Sequence, residues 1–418
     1  MKQIKITGGN TLSGTIKISG AKNSAVALIP AAILCDETAT IFNVPNISDI
    51  DALNEILEYL GAGVSRNGET MVIDSSSIIN KEIPKGISKK LRASYYFMSA
   101  LLGKYKKVEM YFPGGCSIGA RPIDQTLKGF KALGATVMED GDKYTIYADE
   151  LKGGYVYLDM PSVGATINTI LVATKAKGIT IIENAAKEPE IVNVATFLNN
   201  MGAKIVGAGT SQIKIIGVEK LHSCMHEVIP DRIEAGTYII AGALIGKNLK
   251  ISNLIPEHVE SLTSKLLEIG VEIEEGNDYL FVSKGNNYKN TKIKTLGYPG
   301  FPTDLQQPIT TLLTQCNGLS EVEETVYERR FQNVEFLNKM GADIRVNDDK
   351  AFINGPKKLK GRCVTATDLR AGACLVLSGL IADGVTTIDN VDHILRGYEN
   401  IIDKLSSVGA KIELIEIK

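Results

Sequence analysis

The stretch 197-FLNNMGAKI-205 decides the fold. A helix-compatible run meets a glycine, and an alternating apolar segment starts directly after it. Glycine in that place takes the left-handed conformation that ends a helix. The same turn returns as LGAGV, LGATV, IGVEI, MGADI and VGAKI. The six glycines, Gly61, Gly134, Gly202, Gly270, Gly341 and Gly409, stand about 70 residues apart. That period is longer than the common solenoid repeats and marks repeated small α/β units.

Each unit reads alike. It opens with an apolar helix candidate, such as SAVALIPAAIL, INTILVATKA or GACLVLSGLIA. A β-branched strand follows (TATIFNV, ITIIENA), then a second helix ending at the glycine, then two short strands such as AKIVGAG and SQIKIIGV. Strands alternating with helices in this way predict α/β architecture. Periodicity alone leaves the grouping of the six units open.

The 418 residues can make two or three domains, and 44% hydrophobic against 22% charged content suits ordinary globular cores. A net charge of −2 argues against nucleic acid or an anionic membrane as main partner. No apolar run reaches the roughly 18 residues of a membrane span, and MKQIKITGGN has no signal-peptide core. Six scattered cysteines without a C-x-x-C suit reduced thiols, so a cytoplasmic location is expected. The cluster LHSCMHE (His222, Cys224, His226) reads as a polar connecting segment rather than a metal site.

About 40 residues before each glycine, where the first helix of each unit begins, sits a polar cluster. These are GAKNS (Lys22, Asn23), KLRAS (Arg92), PSVGAT (Ser162, Thr166), PDRIEAGT (Asp231, Arg232), FPTDLQ (Thr303, Asp304) and TDLRAGA (Asp368, Arg370). Ser162, Asp231, Thr303 and Asp368 read individually as N-caps, each worth about 1 kcal/mol. Lys22, Arg92, Arg232 and Arg370 do not, because a cation in the first turn opposes the helix dipole. Four such violations point to an anion near these helix starts. The arginine count agrees. Ten Arg stand against thirty-six Lys, so Arg is kept for gripping carboxylate or phosphate, and Arg66, Arg345 and Arg362 alone read as solvated hairpin residues. GALIGKN is one residue short of a P-loop, and no Gly-x-Gly-x-x-Gly opens a helix after a strand. One cysteine, Cys116, lies inside the glycine-rich run YFPGGCSIGARP, where a merely buried thiol has no reason to be.

The motifs SGAKNSA, LRAS, PGGCSIGARPID, PSVGAT, IENAAKEPEIV, PDRIEAGT, FPTDLQ, ETVYERRF, ATDLRAGA and HILRGYENI span the chain in order. Together they closely resemble the enolpyruvyl transferase family, in particular its members acting on UDP-N-acetylglucosamine. The resemblance implies two inside-out α/β domains of three units each, residues 20–229 and residues 1–19 plus 230–418, with the active site in the cleft between them. It implies transfer of the enolpyruvyl group of phosphoenolpyruvate to the sugar 3-hydroxyl with release of phosphate, the first committed step of peptidoglycan synthesis, and no cofactor or metal.

The residue roles are likewise those the resemblance implies. Cys116 is the proton donor and the thiol alkylated by fosfomycin, and Asp304 is the base. Lys22, Arg121 and Arg396 surround the phosphate, Arg330 and Arg370 the carboxylate, with Asn23 at both ligands. Pro122, Ile123, Asp124, Gln125, Ser162, Val163, Gly164 and Val326 join Arg121 along the nucleotide, and Arg92 and Glu328 lie nearby. Some family members carry Lys where Met160 stands and His where Thr126 stands. Two other readings remain on the residues. Transfer to shikimate 3-phosphate is opposed by the Gly-Gly-Cys loop, and a non-catalytic UDP-sugar-binding paralogue by the presence of Lys22, Cys116, Asp304 and Arg396.

Overall fold

The computed structural model describes residues 2–112, 122–328 and 330–416. They divide into two compact units, residues 20–112 with 122–229, and residues 2–19 with 230–416. The calls on Cys116 and Arg121 lie outside the described residues.

In the unit built on residues 20–229 the strand Thr38–Phe42 pairs antiparallel with Thr70–Asp74, which pairs in turn with Gly63–Asn67. On its other side lies Cys224–Glu227, parallel. The strand Ile179–Glu183 repeats this pattern, with Tyr155–Tyr157 parallel on one side and Gln212–Ile216 and Lys204–Val206 beyond the other. So does Lys107–Tyr111, beside Lys143–Tyr147 and Thr136–Asp140, where the parallel neighbour shrinks to a single bridge from Ile83 to Met110.

The other unit has three sheets of the same design among its described residues, led by Gly246–Ser252, Gly318–Glu323 and Val385–Asp389. Chain ends close two of them. Lys2–Thr7 sits between Val385–Asp389 and Lys411–Glu416, with Ile4 opposite both Ile388 and Leu414. Leu12–Lys17 is the parallel edge of the Gly246–Ser252 sheet.

The first helix of each repeat is buried nearly all round. Every residue is buried from Ser24 to Ala31 in Lys22–Ala31, from Ile233 to Leu244 in Arg232–Ile245, and from Arg370 to Leu380 in Leu369–Ile381. A helix apolar on every side must lie inside a core, so the sheets are the outer layer. The second helices, such as Ser48–Leu60, bury one stripe only. All six repeat glycines are left-handed, with φ between 90° and 107°.

A second repeated device, unread in the sequence, is an asparagine just after the leading strand. Asn43, Asn184, Asn253 and Asn390 all have φ near 57°. Asn tolerates this region better than other non-glycine residues. Three of their amides reach back to the parallel edge strand, donating to the carbonyls of Val228 (2.9 Å), Leu158 (2.9 Å) and Ile18 (2.7 Å).

The segment 222–226 is a connection only as far as residue 223. Beyond that it forms the edge strand Cys224–Glu227, with His226 buried between Asn193 Nδ2 (2.9 Å) and Asn200 Nδ2 (3.1 Å). Arg66 does lie in a hairpin, but it is half-buried and donates to the Val44 carbonyl at 3.0 Å. Among the described residues no helix is long and apolar enough to cross a membrane.

Candidate active site

A buried charged cluster forms where two helices of the unit containing residues 230–416 begin. Asp304 lies in the short 3₁₀ turn Thr303–Leu305, and Arg370 is the second residue of Leu369–Ile381. Arg330 Nη2 donates to Asp304 Oδ1 at 2.6 Å, and Arg370 Nη2 donates to Oδ2 at 2.9 Å. Both guanidinium side chains are almost wholly buried, 3% and 6% exposed, whereas Asp304 keeps 25%. Burial pushes the Asp304 carboxyl up, but the charges of Arg370 and Arg330 outweigh it and hold the group well below the usual carboxylate range. The cation in the first turn is thus offset by a carboxylate of the protein itself.

Each arginine has a further anchor. Arg370 Nη1 donates to Tyr398 Oη at 3.1 Å, which in turn lies 2.9 Å from Thr237 Oγ1. Arg330 Nη1 donates to Thr303 Oγ1 at 2.7 Å. Thr303 therefore does not cap its helix. The residue in the cap position is Pro302, and the Thr303 hydroxyl runs between Arg330 and Glu324. Ser162, Asp231 and Asp368 are caps, accepting from backbone N–H groups in the first turns of their helices.

Arg396 ends the short helix Asp392–Leu395 and is half-buried. Glu399, three residues on, accepts from Ser19 Oγ. Ser19 also receives Lys404 Nζ (2.6 Å) and donates its N–H to Glu234 (2.8 Å), which pairs with Lys404 at 2.7 Å. Val326 and Glu328 are exposed near Arg330 in sequence. Sequence reasoning missed Glu234, Tyr398, Glu399 and Lys404, and also Glu324. For Glu324 a signal existed. Ser320 and Val322 face inward along Gly318–Glu323, and that alternation carries Glu324 inward too.

The remaining described site residues belong to the other unit. Lys22 opens the helix Lys22–Ala31, and its Nζ meets the buried Asp49 carboxylate at 2.6 Å. Asn23 follows it, half-buried. Arg92 begins a 3₁₀ turn and stands 6.0 Å from the Tyr95 ring and 5.8 Å from the Phe112 ring. Pro122 is exposed and Ile123 buried ahead of the helix Asp124–Ala132. Gln125 donates to Asp159 at 3.0 Å and accepts its N–H at 2.9 Å, so the segment before Ser162 is tied to that helix. Val163 and Gly164 start the helix Val163–Thr174. A Cβ at Gly164 would stand 1.8 Å from Tyr95 Oη, so any other residue there requires the Tyr95 ring to move.

Two buried guanidiniums, Arg330 and Arg370, thus share the Asp304 carboxylate within a fold of repeated α/β units. Residues 6–405 match the EPSP synthase (3-phosphoshikimate 1-carboxyvinyltransferase) family, and the chain belongs to it. Within that family its curated relatives carry one name. It is 55% identical over 412 residues to UDP-N-acetylglucosamine 1-carboxyvinyltransferase 2 of Geobacillus kaustophilus, covering 99% of this chain and 96% of that protein. It is 54% identical over 413 residues, with the same coverage, to the protein of that name from Bacillus subtilis. The fold matches the enolpyruvyl transferase NikO from Streptomyces tendae at a TM-score of 0.90 and 26% identity, covering 100% of this chain and 99% of that one. EPSP synthase from Acinetobacter baumannii, at 0.77 and 16% and full coverage of both chains, shares the fold.

Proposed function

We propose that this chain transfers the enolpyruvyl group of phosphoenolpyruvate to the 3-hydroxyl of UDP-N-acetylglucosamine, releasing phosphate and opening peptidoglycan synthesis in the cytoplasm. The observation that carries the reading is the pairing of Asp304 with both Arg330 and Arg370, in a chain more than half identical to relatives of that name. Two buried guanidinium forks holding a carboxylate are built to hold a substrate carboxylate in the same way.

The chemistry follows from the groups. Cys116 gives its proton to C3 of phosphoenolpyruvate, leaving C2 electrophilic. The sugar 3-hydroxyl attacks C2 while Asp304 takes its proton. The Cys116 thiolate takes back a proton from C3 of the resulting ketal as C2 expels phosphate, restoring the double bond on the transferred group, and the proton held by Asp304 leaves on the phosphate. Lys22, Arg121 and Arg396 bind the phosphate, and Arg330 and Arg370 the carboxylate. Asn23, Arg92, Pro122, Ile123, Asp124, Gln125, Ser162, Val163, Gly164 and Val326 serve the sugar nucleotide. Fosfomycin would alkylate Cys116.

The geometry adds a gating step. Paired with two guanidiniums, Asp304 is a poor base. Once the substrate carboxylate takes over Arg330 and Arg370, Asp304 loses its partners and its proton affinity rises. The acid limb of kcat should then lie at higher pH than that of kcat/KM for phosphoenolpyruvate, which reports the free enzyme. The deciding assay is phosphate release from phosphoenolpyruvate alone, with UDP-N-acetylglucosamine, and with shikimate 3-phosphate. Release only with UDP-N-acetylglucosamine is expected. Release with shikimate 3-phosphate, or none at all, would sink the reading.

A further inference from the structure

We propose that Glu324, acting through Thr303, is a positioning residue that sets which edge of the Arg330 guanidinium faces the substrate carboxylate. The proposal rests on the enolpyruvyl-transfer reading and deepens it. Glu324 is 2% exposed, and its carboxylate accepts four hydrogen bonds. Oε1 accepts from Val326 N–H (2.9 Å), Tyr327 N–H (3.2 Å) and Thr295 Oγ1 (3.0 Å). Oε2 accepts from Thr303 Oγ1 at 2.8 Å.

The direction of the chain is forced. Arg330 Nη1 can only donate, so Thr303 Oγ1 must accept from it at 2.7 Å and give its own hydrogen to Glu324. A carboxylate at Glu324 thereby turns the threonine lone pair toward Arg330. Gln307 Nε2 donates to the Arg330 backbone carbonyl at 3.0 Å, the Tyr327 ring lies 5.0 Å from the guanidinium, and the buried Nε finds no acceptor among the described residues. Thr303 is thus the side-chain hydrogen-bond partner, other than Asp304, that sets the rotation of the guanidinium in its plane and leaves Nη2 toward Asp304. Glu324 also ties residues 326 and 327 into the same turn, four and three positions before Arg330.

Three variants of the full-length enzyme test this by steady-state phosphate release with both substrates varied. Thr303→Val keeps the shape and removes the hydroxyl, Thr303→Ser restores it, and Glu324→Gln can no longer accept at both oxygens. Thr303→Val and Glu324→Gln should each raise KM for phosphoenolpyruvate about tenfold or more, the scale of a lost hydrogen bond to a charged group, and well beyond any rise in KM for the sugar nucleotide. Thr303→Ser should stay near wild type. The double variant Thr303→Val/Glu324→Gln should be little worse than either single one, because both break one chain. Should Glu324→Gln fail to fold, the Thr303 pair decides alone. Equal effects of Val and Ser, multiplicative losses, or an unchanged KM for phosphoenolpyruvate in an active wild-type background would overturn the proposal. A wild type that releases no phosphate would overturn the enzymatic reading and this proposal together.

Discussion

Asp304→Asn separates the pairing with Arg330 and Arg370, which the structure shows, from the proposed role as base. The change keeps the shape but removes the one charge shared by Arg330 and Arg370, and its amide NH₂ would confront one of the two guanidiniums. Removing one partner of a buried pair costs about 3–5 kcal/mol. Asp304 is 25% exposed, so water reaches it and the lower end, about 3 kcal/mol, applies. For a unit of this size that is a fall in unfolding temperature of about 6–12 °C. The variant should still fold, with kcat lowered about a hundredfold or more for a lost base.

Phosphoenolpyruvate supplies the sharper readout. On the proposed reading its carboxylate displaces the Asp304 carboxylate in the wild type, whereas in Asp304→Asn it meets two guanidiniums with no charge between them. The ligand should therefore raise the melting temperature more in the variant than in the wild type. The pH dependence has a defined sign. The folded carboxyl lies below its unfolded value of about 3.9, so its contribution is complete above that pH and is lost only as pH falls below it. The stability gap between the two proteins should thus be constant near neutrality and close only in acid. Melting followed by circular dichroism, with and without ligand, checks all of this. A shift under about 2 °C, or a ligand-induced rise no larger in the variant, would refute the shared-carboxylate argument.

Burial raises the thiol pKa of Cys35, Cys224, Cys316, Cys363 and Cys374, the third of these to about 12, so fosfomycin should alkylate Cys116 alone; intact-mass and peptide analysis showing another adduct would contradict this. Gly164→Ala should lower the melting temperature and weaken UDP-N-acetylglucosamine binding in calorimetry, since its Cβ meets Tyr95 Oη, and wild-type behaviour would show that Tyr95 yields freely. Burial pushes the Glu234 carboxyl up to about 7 against the pull of Lys404. The protonated form is then favoured in the fold, so stability is full below about pH 4.3 and declines as pH rises through about 7; Glu234→Gln should flatten that slope in denaturant titrations, and an unchanged slope would exclude Glu234 as its source.

The repeat was legible in the sequence because its marker is a backbone requirement. A helix that must end and turn at once needs φ near +100°, and at all six places glycine supplies it. The strand-end asparagines serve a similar need, but Asn is common in loops and the signal drowned. Edge strands such as Tyr155–Tyr157 and Lys292–Lys294 are too short for a period to emerge. Their pairing is also long-range, as with Cys224–Glu227 against Thr38–Phe42, and nothing local states it.

The site divides along the same line. Residue type singled out Arg370, because a cation in a first turn conflicts with the helix dipole locally, whereas Asp304, an acid that fits the dipole, stood out only through the family resemblance. What they do to each other depends on residues 66 positions apart, and a one-residue difference in where a 3₁₀ turn begins changed Thr303 from an assumed cap into a link between Glu324 and Arg330. Side chains whose only role is to orient others carry no local anomaly at all. Tyr398 reads as core and Glu324 as one more acid in VEETVYE. Their roles emerge only once donors and acceptors are counted around a buried charge, where every hydrogen must have a destination.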